Sequence, residues 1–279
     1  MPPPQTVLIT GCSSGIGRAT AVELAARGHR VFATARKRVA IADLAARGMK
    51  TLALDVTDPE AVAAAVAEVL REAGRVDALV NNAGYGQYGA VEDVTAAEWR
   101  AQYDVNVFGA LAMIQAVLPA MREAGAGTIV NVSSVAGKIA IPFAAPYCSS
   151  KHALEAISDS LRLEVASFGV RVVIIEPGPI GTKFGERARA GVSKLLGRPG
   201  PYAPFYRGAE RAMDTDFAAG RLPPEAVAKA IADAIESRRP KTRYPLTRMA
   251  KTFIPLKRFS TDRMLDRQMA RSLGIKKTK

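Results

Sequence analysis

The sequence TVLITGCSSGIG, residues 6–17, joins a short apolar run to a turn rich in glycine. Residues 6–10 are apolar or β-branched, which predicts a buried strand, and an Ala-rich helical stretch follows the turn as far as Gly28. Glycines in such a turn let the backbone approach a pyrophosphate, and the helix N-terminus favours its negative charge. This order of strand, turn and helix predicts a dinucleotide-binding site, and the alternative is an ordinary strand–helix turn.

A second predicted strand, residues 30–34, ends at a position that bears on the choice of cofactor. A NAD site normally has an acidic residue there, which binds the ribose hydroxyls. This chain has Ala35 followed by Arg36, and an arginine can pair with a 2′-phosphate. We therefore expect NADP (NADPH) rather than NAD, unless Arg36 only begins a solvated basic helix.

Strands and helices alternate along the rest of the chain, with further strands predicted at 51–54, 77–81, 128–132 and 170–175 and a short one near Arg243. This alternation is typical of a parallel sheet covered on both faces. We predict an α/β fold, a Rossmann-type doubly wound parallel sheet of about seven strands with helices on both faces, in a single domain over residues 1–247. Ligands of such sheets bind at the carboxyl ends of the strands, where the glycine turn, Asn82, Ser134 and Pro177-Gly178 would meet.

The segment Tyr147-Cys-Ser-Ser-Lys151 places a phenol and an amine four residues apart, on one face of a predicted helix. A free phenol has a pKa of about 10, so it is a poor acid–base catalyst at neutral pH. A fixed ammonium, with a second positive group such as an oxidised nicotinamide, would lower that pKa. The spacing alone also fits a half-buried tyrosine beside a surface lysine, but the motifs around it favour a catalytic pair.

Composition excludes several classes of protein. The 279 residues include 48% hydrophobic residues and two cysteines, and no run of 18 residues is entirely apolar. We expect no signal peptide, no transmembrane helix and no disulfide framework, which fits a cytoplasmic protein. The net charge of +13 is concentrated in residues 238–279, which hold fourteen Lys and Arg against two Asp. The rest of the chain is nearly neutral and has no nucleic-acid-binding motif, so we expect no nucleic-acid partner, and no metal.

Two segments depart from the alternation of strands and helices. Residues 183–222 are rich in Gly, Pro, Lys and Arg, and we interpret them as a long loop that covers the substrate as a lid, or as a partly disordered insertion. The aromatic residues of this segment would line a lipophilic site, and they are Phe184, Tyr202, Phe205 and Tyr206.

Residues 248–279 form a basic C-terminal extension. A short helix capped by Ser260 or Thr261 would carry apolar residues on one side, namely Met264, Leu265, Met269 and Leu273. That side would make a peripheral contact with an anionic membrane or, as we favour, pack on the domain or on a second subunit.

Together these motifs resemble those of the short-chain dehydrogenase/reductase family, over about residues 5–245. The stretch Thr10-Gly11-x-x-x-Gly15-x-Gly17 resembles the family's cofactor motif, and Asn81-Asn82-Ala83-Gly84 resembles the motif that supports its central strand. Its catalytic tetrad is matched by Asn106, Ser134, Tyr147 and Lys151, and Pro177-Gly178 followed by Thr182 matches the segment that flanks the nicotinamide. The resemblance implies an NAD(P)-dependent oxidoreductase.

The resemblance also implies a role for each site residue. Tyr147 would donate a proton to a carbonyl or accept one from an alcohol, Lys151 would lower its pKa and bind the nicotinamide ribose, and Ser134 would hydrogen-bond the substrate oxygen. Asn106 would hold a water that links Lys151 to solvent. The cofactor-binding residues that it implies are Gly11, Ser13, Ser14, Gly15, Ile16, Gly17, Arg36, Asp55, Val56, Asn82, Ala83, Gly84, Tyr147, Lys151, Pro177, Gly178 and Thr182.

Residues 10–15 and 150–155 are most similar to retinol and 17β-hydroxysteroid dehydrogenases and to acyl-dihydroxyacetone-phosphate reductases within the family. This similarity implies a lipophilic ketone or secondary alcohol, steroid-, retinoid- or lipid-like, as the substrate. An alternative is a catalytically silent NAD(P)-sensing regulator on the same fold, although such regulators commonly lose the tyrosine or the lysine that this chain keeps. Members of the family often oligomerise, so we expect a homodimer or homotetramer.

Overall fold

One parallel sheet of seven strands forms the centre of the molecule in the computed structural model, which describes residues 3–197, 200–210, 222–272 and 275. The strands lie in the order β3-β2-β1-β4-β5-β6-β7. Their bounds are β1 Thr6–Ile9, β2 Arg30–Ala35, β3 Lys50–Ala53, β4 Ala78–Asn81, β5 Gly127–Val132, β6 Val170–Glu176 and β7 Arg243–Pro245. The chain builds outward from β1 to β3 and then crosses to β4, so the strand order reverses between β1 and β4. This is the doubly wound Rossmann-type sheet that the sequence predicts.

Helices connect the strands and cover both faces of the sheet. Before β5 they are α1 Gly15–Ala26, α2 Ala42–Ala46, α3 Pro59–Ala73, α4 Ala96–Tyr103 and α5 Ala110–Glu123, with the π-helical turn Asp104–Gly109 joining the last two. After β5 they are α6 Ala145–Glu164, α7 Lys183–Leu196, α8 at residues 203–210, α9 Pro224–Glu236, α10 Arg248–Phe259 and α11 Asp262–Ser272.

Alternation along each strand divides the core into two layers, because successive side chains point to opposite faces. In β1, Val7 and Ile9 pack in the cluster that includes residues of α1 and α9. Leu8 lies in the other cluster, with residues of α3, α5 and α6. The central strands are therefore buried at every position and mostly apolar, which is the pattern of a parallel sheet covered on both sides.

Local signals fix the ends of the helices near the site. The Asp58 carboxylate accepts hydrogen bonds from the backbone N–H groups of Glu60 and Ala61, and Pro59 occupies the first helical position. Thr95 and Glu98 form a capping box at the start of α4. These caps hold the two helices that follow β3 and β4 at the carboxyl edge of the sheet.

The prediction of a long loop at residues 183–222 is wrong. Helix α7 follows Thr182, whose hydroxyl accepts a hydrogen bond from the Phe184 N–H, and α8 follows after a short connection. Ala188, Val192 and Leu195 of α7 are buried on one side of the helix, at the spacing that an amphipathic helix requires. Residues 198–199 and 211–221 of the predicted lid lie outside the described residues.

The basic extension consists of two helices that pack on the domain. In α10, the buried Ala250 and the partly buried Ile254 join a cluster with Val135 and Ile139, and Met269 of α11 joins it too. Helix α11 begins directly after Thr261, as the predicted cap requires, and Leu273 lies outside the described residues. The favoured interpretation, packing on the domain, holds for Met269, whereas Met264 is 59% exposed.

One helical stretch, Ala96–Glu123, is long and apolar enough to cross a membrane by length and composition alone. Its Met113, Ile114, Val117 and Met121 are buried in the core beside the sheet. The stretch is therefore part of the helical layer of the domain.

Candidate active site

The glycine turn after β1 forms a tight cradle with the segment after β4. At Gly17 a Cβ atom would lie 2.3 Å from Nδ2 of Asn82 and 2.6 Å from the carbonyl oxygen of Gly11. Gly11 itself has a φ of 75°, which favours glycine, and its Cβ would lie 2.8 Å from Cα of Ala83. Side chains at these positions would force the two segments apart.

Thr10 and Asn82 tie the cradle together. The Thr10 hydroxyl accepts hydrogen bonds from the backbone N–H groups of Asn82 and Ala83, both at 3.0 Å. In return, the Asn82 amide donates to the carbonyl groups of Thr10 at 2.9 Å and Gly11 at 3.1 Å. The sequence singled out Asn82, but the role of Thr10 as a double acceptor was missed, since a threonine at a strand end carries no such signal.

A single cavity of about 970 Å³ opens from this cradle at the carboxyl edge of the sheet. Every predicted cofactor-binding residue except Gly17 lines it, and Gly17 lies behind the cradle, against Asn82. Ala35 and Arg36 line the cavity too, with Ala35 at the end of β2. A narrow glycine cradle at a helix N-terminus fits the diphosphate of a dinucleotide.

Asp55 and Thr182 are placed on this cavity by local hydrogen bonds. The Asp55 carboxylate accepts from the N–H of Thr57 at 3.0 Å and from its hydroxyl at 2.8 Å, which fixes the turn after β3. Thr182 begins α7 on the other side of the cavity. The structure thus brings Asp55 and Thr182, two of the predicted cofactor-binding residues, to one cavity, although their roles stay predictions.

Ser134 and Tyr147 face the same cavity. The Ser134 hydroxyl accepts a hydrogen bond from the Ala136 N–H at 3.1 Å, and its hydrogen bond with Tyr147 lowers the pKa of the phenol. Burial has the larger effect and raises the pKa of Tyr147 to about 12. Neighbouring Ser133 also lines the cavity, but its buried hydroxyl has no hydrogen-bond partner in the described part of the chain. Of the two serines, Ser134 is the one that contacts the phenol.

Lys151 lies one turn after Tyr147 on α6, with its Nζ 6.0 Å from the centroid of the phenol ring. The amine donates a hydrogen bond to the carbonyl of Val132 at 2.8 Å. Burial lowers the pKa of Lys151 to about 8, and the charge of Glu155 acts against that lowering. The protein alone therefore does not produce the lowered phenol pKa that the spacing predicts, because burial of the phenol is the largest effect on its pKa.

Asn106 lies in the π-helical turn between α4 and α5, a helix type that is frequent at functional sites. Its side-chain amide makes two hydrogen bonds with the backbone of Tyr85: it accepts from the N–H at 3.1 Å and donates to the carbonyl at 3.0 Å. It also donates to the hydroxyl of Ser150 at 3.2 Å, which is next to Lys151 in the chain. The buried side chain of Asn106 thereby joins the segment after β4 to the helix that carries Tyr147 and Lys151.

Only one of the four predicted aromatic substrate residues is placed on the cavity. Phe184 lines it, with its ring centroid 5.4 Å from that of Tyr147. Tyr206 is buried instead, and its hydroxyl contacts the Ala90 N–H and the Asp93 carboxylate. Tyr202 bonds to Glu92, and Phe205 stacks on Phe143. These three residues attach α8 and the turn before it to the rest of the domain. The sequence could not show this, because a pattern of aromatic residues does not tell which way each side chain points.

Several cavity residues were not predicted from the sequence. Tyr88, Ile139, Ile141 and Phe143 line the cavity beside Ser134 and Tyr147, and α10 and α11 contribute Met249, Phe253, Gln268 and Met269. The amphipathic pattern of the extension was visible in the sequence, but not that its inner face closes this cavity. The walls around Tyr147 are mostly apolar, so this part of the cavity suits a lipophilic molecule.

The two cysteines near the site are inert. Burial raises the pKa of Cys12 to about 12 and that of Cys148 to about 11, so neither forms a thiolate readily. His152 uses its Nδ1 in a contact with the Cys148 carbonyl at 2.9 Å, not with the thiol. No group of three or more potential metal-ligating side chains occurs among the residues that the structure describes.

Comparisons with known proteins agree with this geometry. The family model for short chain dehydrogenase matches residues 5–193. The chain is 38% identical over 269 residues to an NADPH-dependent 3-dehydrocapnine reductase from Ornithobacterium rhinotracheale, covering 93% of this chain and 94% of that protein. It is 38% identical over 270 residues to human 17-beta-hydroxysteroid dehydrogenase type 1, covering 92% of this chain and 80% of that protein.

A solved structure covers nearly the whole chain as well. The crystal structure of a short-chain dehydrogenase from Streptomyces avermitilis has a TM-score of 0.82 and 34% sequence identity, covering 98% of this chain and 99% of that one. The match over the whole length agrees with the parallel sheet and the helices that cover it. The chain belongs to the short-chain dehydrogenase family and is an NAD(P)-dependent oxidoreductase that acts on alcohols or ketones.

Proposed function

We propose that this enzyme transfers a hydride between NADP(H) and a lipophilic ketone or secondary alcohol. The observation that carries the proposal is the single cavity in which the glycine cradle, Arg36, Ser134 and Tyr147 meet apolar walls. A bound nicotinamide supplies or takes up the hydride in this family of reactions. The protein supplies the position of the reacting groups, the proton and the electrostatic surroundings.

Tyr147 is the residue that moves the proton. Because its phenol is protonated at neutral pH and lies at the cavity wall, it can donate to a carbonyl oxygen held in hydrogen-bonding reach. The Ser134 hydroxyl holds that same oxygen and stabilises the negative charge that develops on it. Lys151 contributes positive charge beside the phenol, which favours loss of the phenol proton.

The choice of NADP(H) is supported by the end of β2. An acidic side chain there would bind the ribose hydroxyls and repel a 2′-phosphate, whereas Ala35 does neither. Arg36 is exposed and lines the cavity, so it can pair with the phosphate. Arg38 is already bonded through its Nε to Thr51 at 3.2 Å, so Arg36 is the better candidate of the two.

A lipophilic substrate is supported by the cavity walls next to Tyr147. Ile139, Ile141, Phe143 and Phe184 offer apolar surface, and the inner faces of α10 and α11 extend it. The proteins that this chain resembles include, by their names, enzymes for a steroid and for 3-dehydrocapnine.

The enzyme assay that tests this proposal follows NADPH at 340 nm in the presence of a panel of ketones, and NADP⁺ with the matching alcohols. We expect turnover with large apolar substrates, and we expect Tyr147→Phe to lower it by a factor of about 100 or more while binding NADPH as the native protein does. If Tyr147→Phe kept more than about a tenth of the native rate, a loss below ~1.4 kcal/mol, the role of Tyr147 would be wrong.

Three further points stay predictions. They are a cytoplasmic location, assembly as a homodimer or homotetramer, and a peripheral membrane contact through the basic extension. For self-association, the exposed side chains of Phe108 and Leu163 offer apolar surface on adjacent helices of one face.

A further inference from the structure

A cluster of buried charges lies directly behind the catalytic helix. Glu155 is one helical turn after Lys151 on α6, and the two residues are 4% and 6% exposed. The Oε2 atom of Glu155 accepts from Nζ of Lys138 at 2.7 Å and from Nη2 of Arg243 at 3.2 Å. Its other oxygen, Oε1, has no hydrogen-bond partner in the described part of the chain. Two cations thus compensate the negative charge of this buried carboxylate at one oxygen.

The cluster joins the segments that build the site. Lys138 ends the short helical turn that begins at Ser134, and Glu176 is the last residue of β6, directly before Pro177. Arg243 begins β7 and reaches Glu176 through its Nε at 3.2 Å and Asp159 through its Nη2 at 2.6 Å. Glu155 lies at the middle of these contacts and, unlike Glu176 and Asp159, follows Lys151 by one turn of the same helix.

We propose that Glu155 is a positioning residue that keeps the Lys151 amine protonated at neutral pH; this inference rests on the proposed role of Lys151 in catalysis. The groups that face Lys151 are few. The Val132 carbonyl accepts a hydrogen bond from it, Gly84 lies beside it, and the Tyr147 ring is neutral. In the part of the chain that the structure describes, Glu155 is therefore the negative charge that acts on this amine.

The direction of the effect follows from burial. Burial disfavours a charged amine and lowers the pKa of Lys151 to about 8, while the negative charge of Glu155 raises it. Without Glu155 the amine would lose its proton closer to neutral pH, and the cation beside Tyr147 would be lost. The positive charges of Lys138 and Arg243 reduce the influence of Glu155. Glu176 titrates as well, since burial and then the charge of Glu155 raise its pKa to about 7.

The titration of Lys151 itself tests the proposal, by NMR of protein labelled with ¹³C at lysine Cε. The Lys151 signal is identified by its loss in Lys151→Arg, and its midpoint near pH 8 separates it from ordinary lysines near 10.4. In Glu155→Gln we expect the midpoint to fall by about one pH unit or more. Asp159→Asn is the matched control, because Asp159 lies on the same helix and binds the same arginine but is 43% exposed. In Asp159→Asn the Lys151 midpoint should stay within about 0.3 pH units of the native value, since exposed charges are screened.

A third variant separates charge from structure. Lys138→Met removes a cation from Glu155 at a position that is 25% exposed, and we expect the Lys151 midpoint to rise. Opposite shifts in Glu155→Gln and Lys138→Met support the proposal, and a mere loss of packing cannot produce them. Equal midpoints in Glu155→Gln and Asp159→Asn would overturn it, as would a fall in Lys138→Met. If Glu155→Gln does not fold, Glu155→Met replaces it, because Lys138→Met alone would raise the Lys151 midpoint through loss of its own positive charge.

The titration needs neither cofactor nor substrate, so its result stands even if the proposed reaction fails. If the proposed reaction and the role of Glu155 both hold, the pH at which kcat/KM falls on the alkaline side should decrease in Glu155→Gln and increase in Lys138→Met, in parallel with the NMR midpoints. An enzyme that is active but shows unchanged midpoints would retain the proposed function and refute the role of Glu155.

Discussion

Burial acts in opposite directions on the two titratable side chains of the tetrad. It raises the pKa of Tyr147 to about 12 and lowers that of Lys151 to about 8. Both groups therefore carry their protons at neutral pH, and the free protein presents Tyr147 as a proton donor. Acting as a base toward an alcohol requires further positive charge near the phenol, which the described residues do not provide.

The identity of the reacting residues could be predicted from the sequence, and their surroundings could not. Tyr147, Lys151 and Ser134 belong to motifs of fixed spacing, which can be recognised directly in the sequence. Thr10 and Glu155 lie in recognisable stretches, but they act through contacts with Ala83 and Arg243, which are distant in the chain and do not follow from the local sequence. The prediction that Tyr206 lines the substrate site was wrong for the same reason. Its side chain packs with Ala90 and Leu195 and does not line the cavity.

Cofactor choice can be tested at the end of β2. We expect the native protein to bind NADPH more tightly than NADH by about 2–3 kcal/mol, if the phosphate contact is charge-assisted. Ala35→Asp combined with Arg36→Leu should reverse the preference, since the new carboxylate repels the phosphate and binds the ribose hydroxyls. Fluorescence titration with both cofactors measures this. Arg38→Leu is the control, because Arg38 is bonded to Thr51 and should leave the preference unchanged. Equal native affinities for NADPH and NADH would refute the proposal.

Among the elements, those of the sheet were the easiest to predict. Each strand of the first six lies within about two residues of its predicted position, because buried parallel strands are short apolar runs bounded by turn residues. Helix α7 was missed because its glycines and cations suggested a loop. Its apolar residues recur at helical spacing, with Ala188, Val192 and Leu195 buried, and that periodicity outweighs the composition.

Two amide side chains couple the elements around the site. Asn81 of β4 donates to the Asn131 side chain of β5 at 3.0 Å, and Asn131 donates to the Ser158 hydroxyl of α6 at 2.8 Å. Such buried polar groups cost free energy unless each finds its partner, so they fix the register of the elements that carry them. The helix with Tyr147 is thereby held to the central strands.

The role of α10 as a wall of the substrate cavity leads to a prediction at the scale of the element. Phe253 lines the cavity, so Phe253→Ala should lower kcat/KM for a large apolar ketone by about tenfold. A small ketone that does not reach α10 should keep its kcat/KM within about twofold. Steady-state assays on two ketones of different length measure both effects.

A matched variant on the same helix controls for loss of stability. Leu256 lies three residues after Phe253 and is 43% exposed. Leu256→Ala should therefore leave kcat/KM unchanged for both ketones. A similar loss for the large and the small ketone in Phe253→Ala would mean that α10 supports the fold and does not contact the substrate.

The charge of the whole molecule is concentrated in its C-terminal extension, whose two helices have distinct faces. The inner face, with Ala250, Ile254 and Met269, packs on the domain. The outer face leaves Leu256, Phe259 and Met264 exposed, by 43%, 84% and 59%. Exposed cations on the same helices are Arg248, Lys251, Lys257, Arg263, Arg267 and Arg271. The sequence alone could not divide the apolar residues between these faces, because both sets recur within the same two helices.

This outer face fits an anionic bilayer better than a second copy of the chain or a nucleic acid. A symmetric contact between two copies would bring the cations of one extension against those of the other, which is unfavourable. A nucleic acid would use the cations and could stack a base on Phe259, but it would leave Leu256 and Met264 uncovered. An anionic membrane uses both, with each cation near the surface contributing roughly 1 kcal/mol. Since α10 and α11 also line the cavity, such a contact would bring the cavity near a substrate dissolved in lipid.

Co-sedimentation of the full chain with liposomes tests the membrane contact. We expect binding to vesicles with anionic lipid at physiological salt, weaker binding at high salt because charges are screened, and none to neutral vesicles. Phe259→Ser with Met264→Ser should reduce binding, since it removes the apolar part of the contact. Phe108→Ser is the control, because Phe108 is 57% exposed but lies in the π-helical turn and not in the extension. Binding that is unchanged in the double variant, or absent from anionic vesicles altogether, would leave the extension with its role in the cavity wall and no role at a membrane.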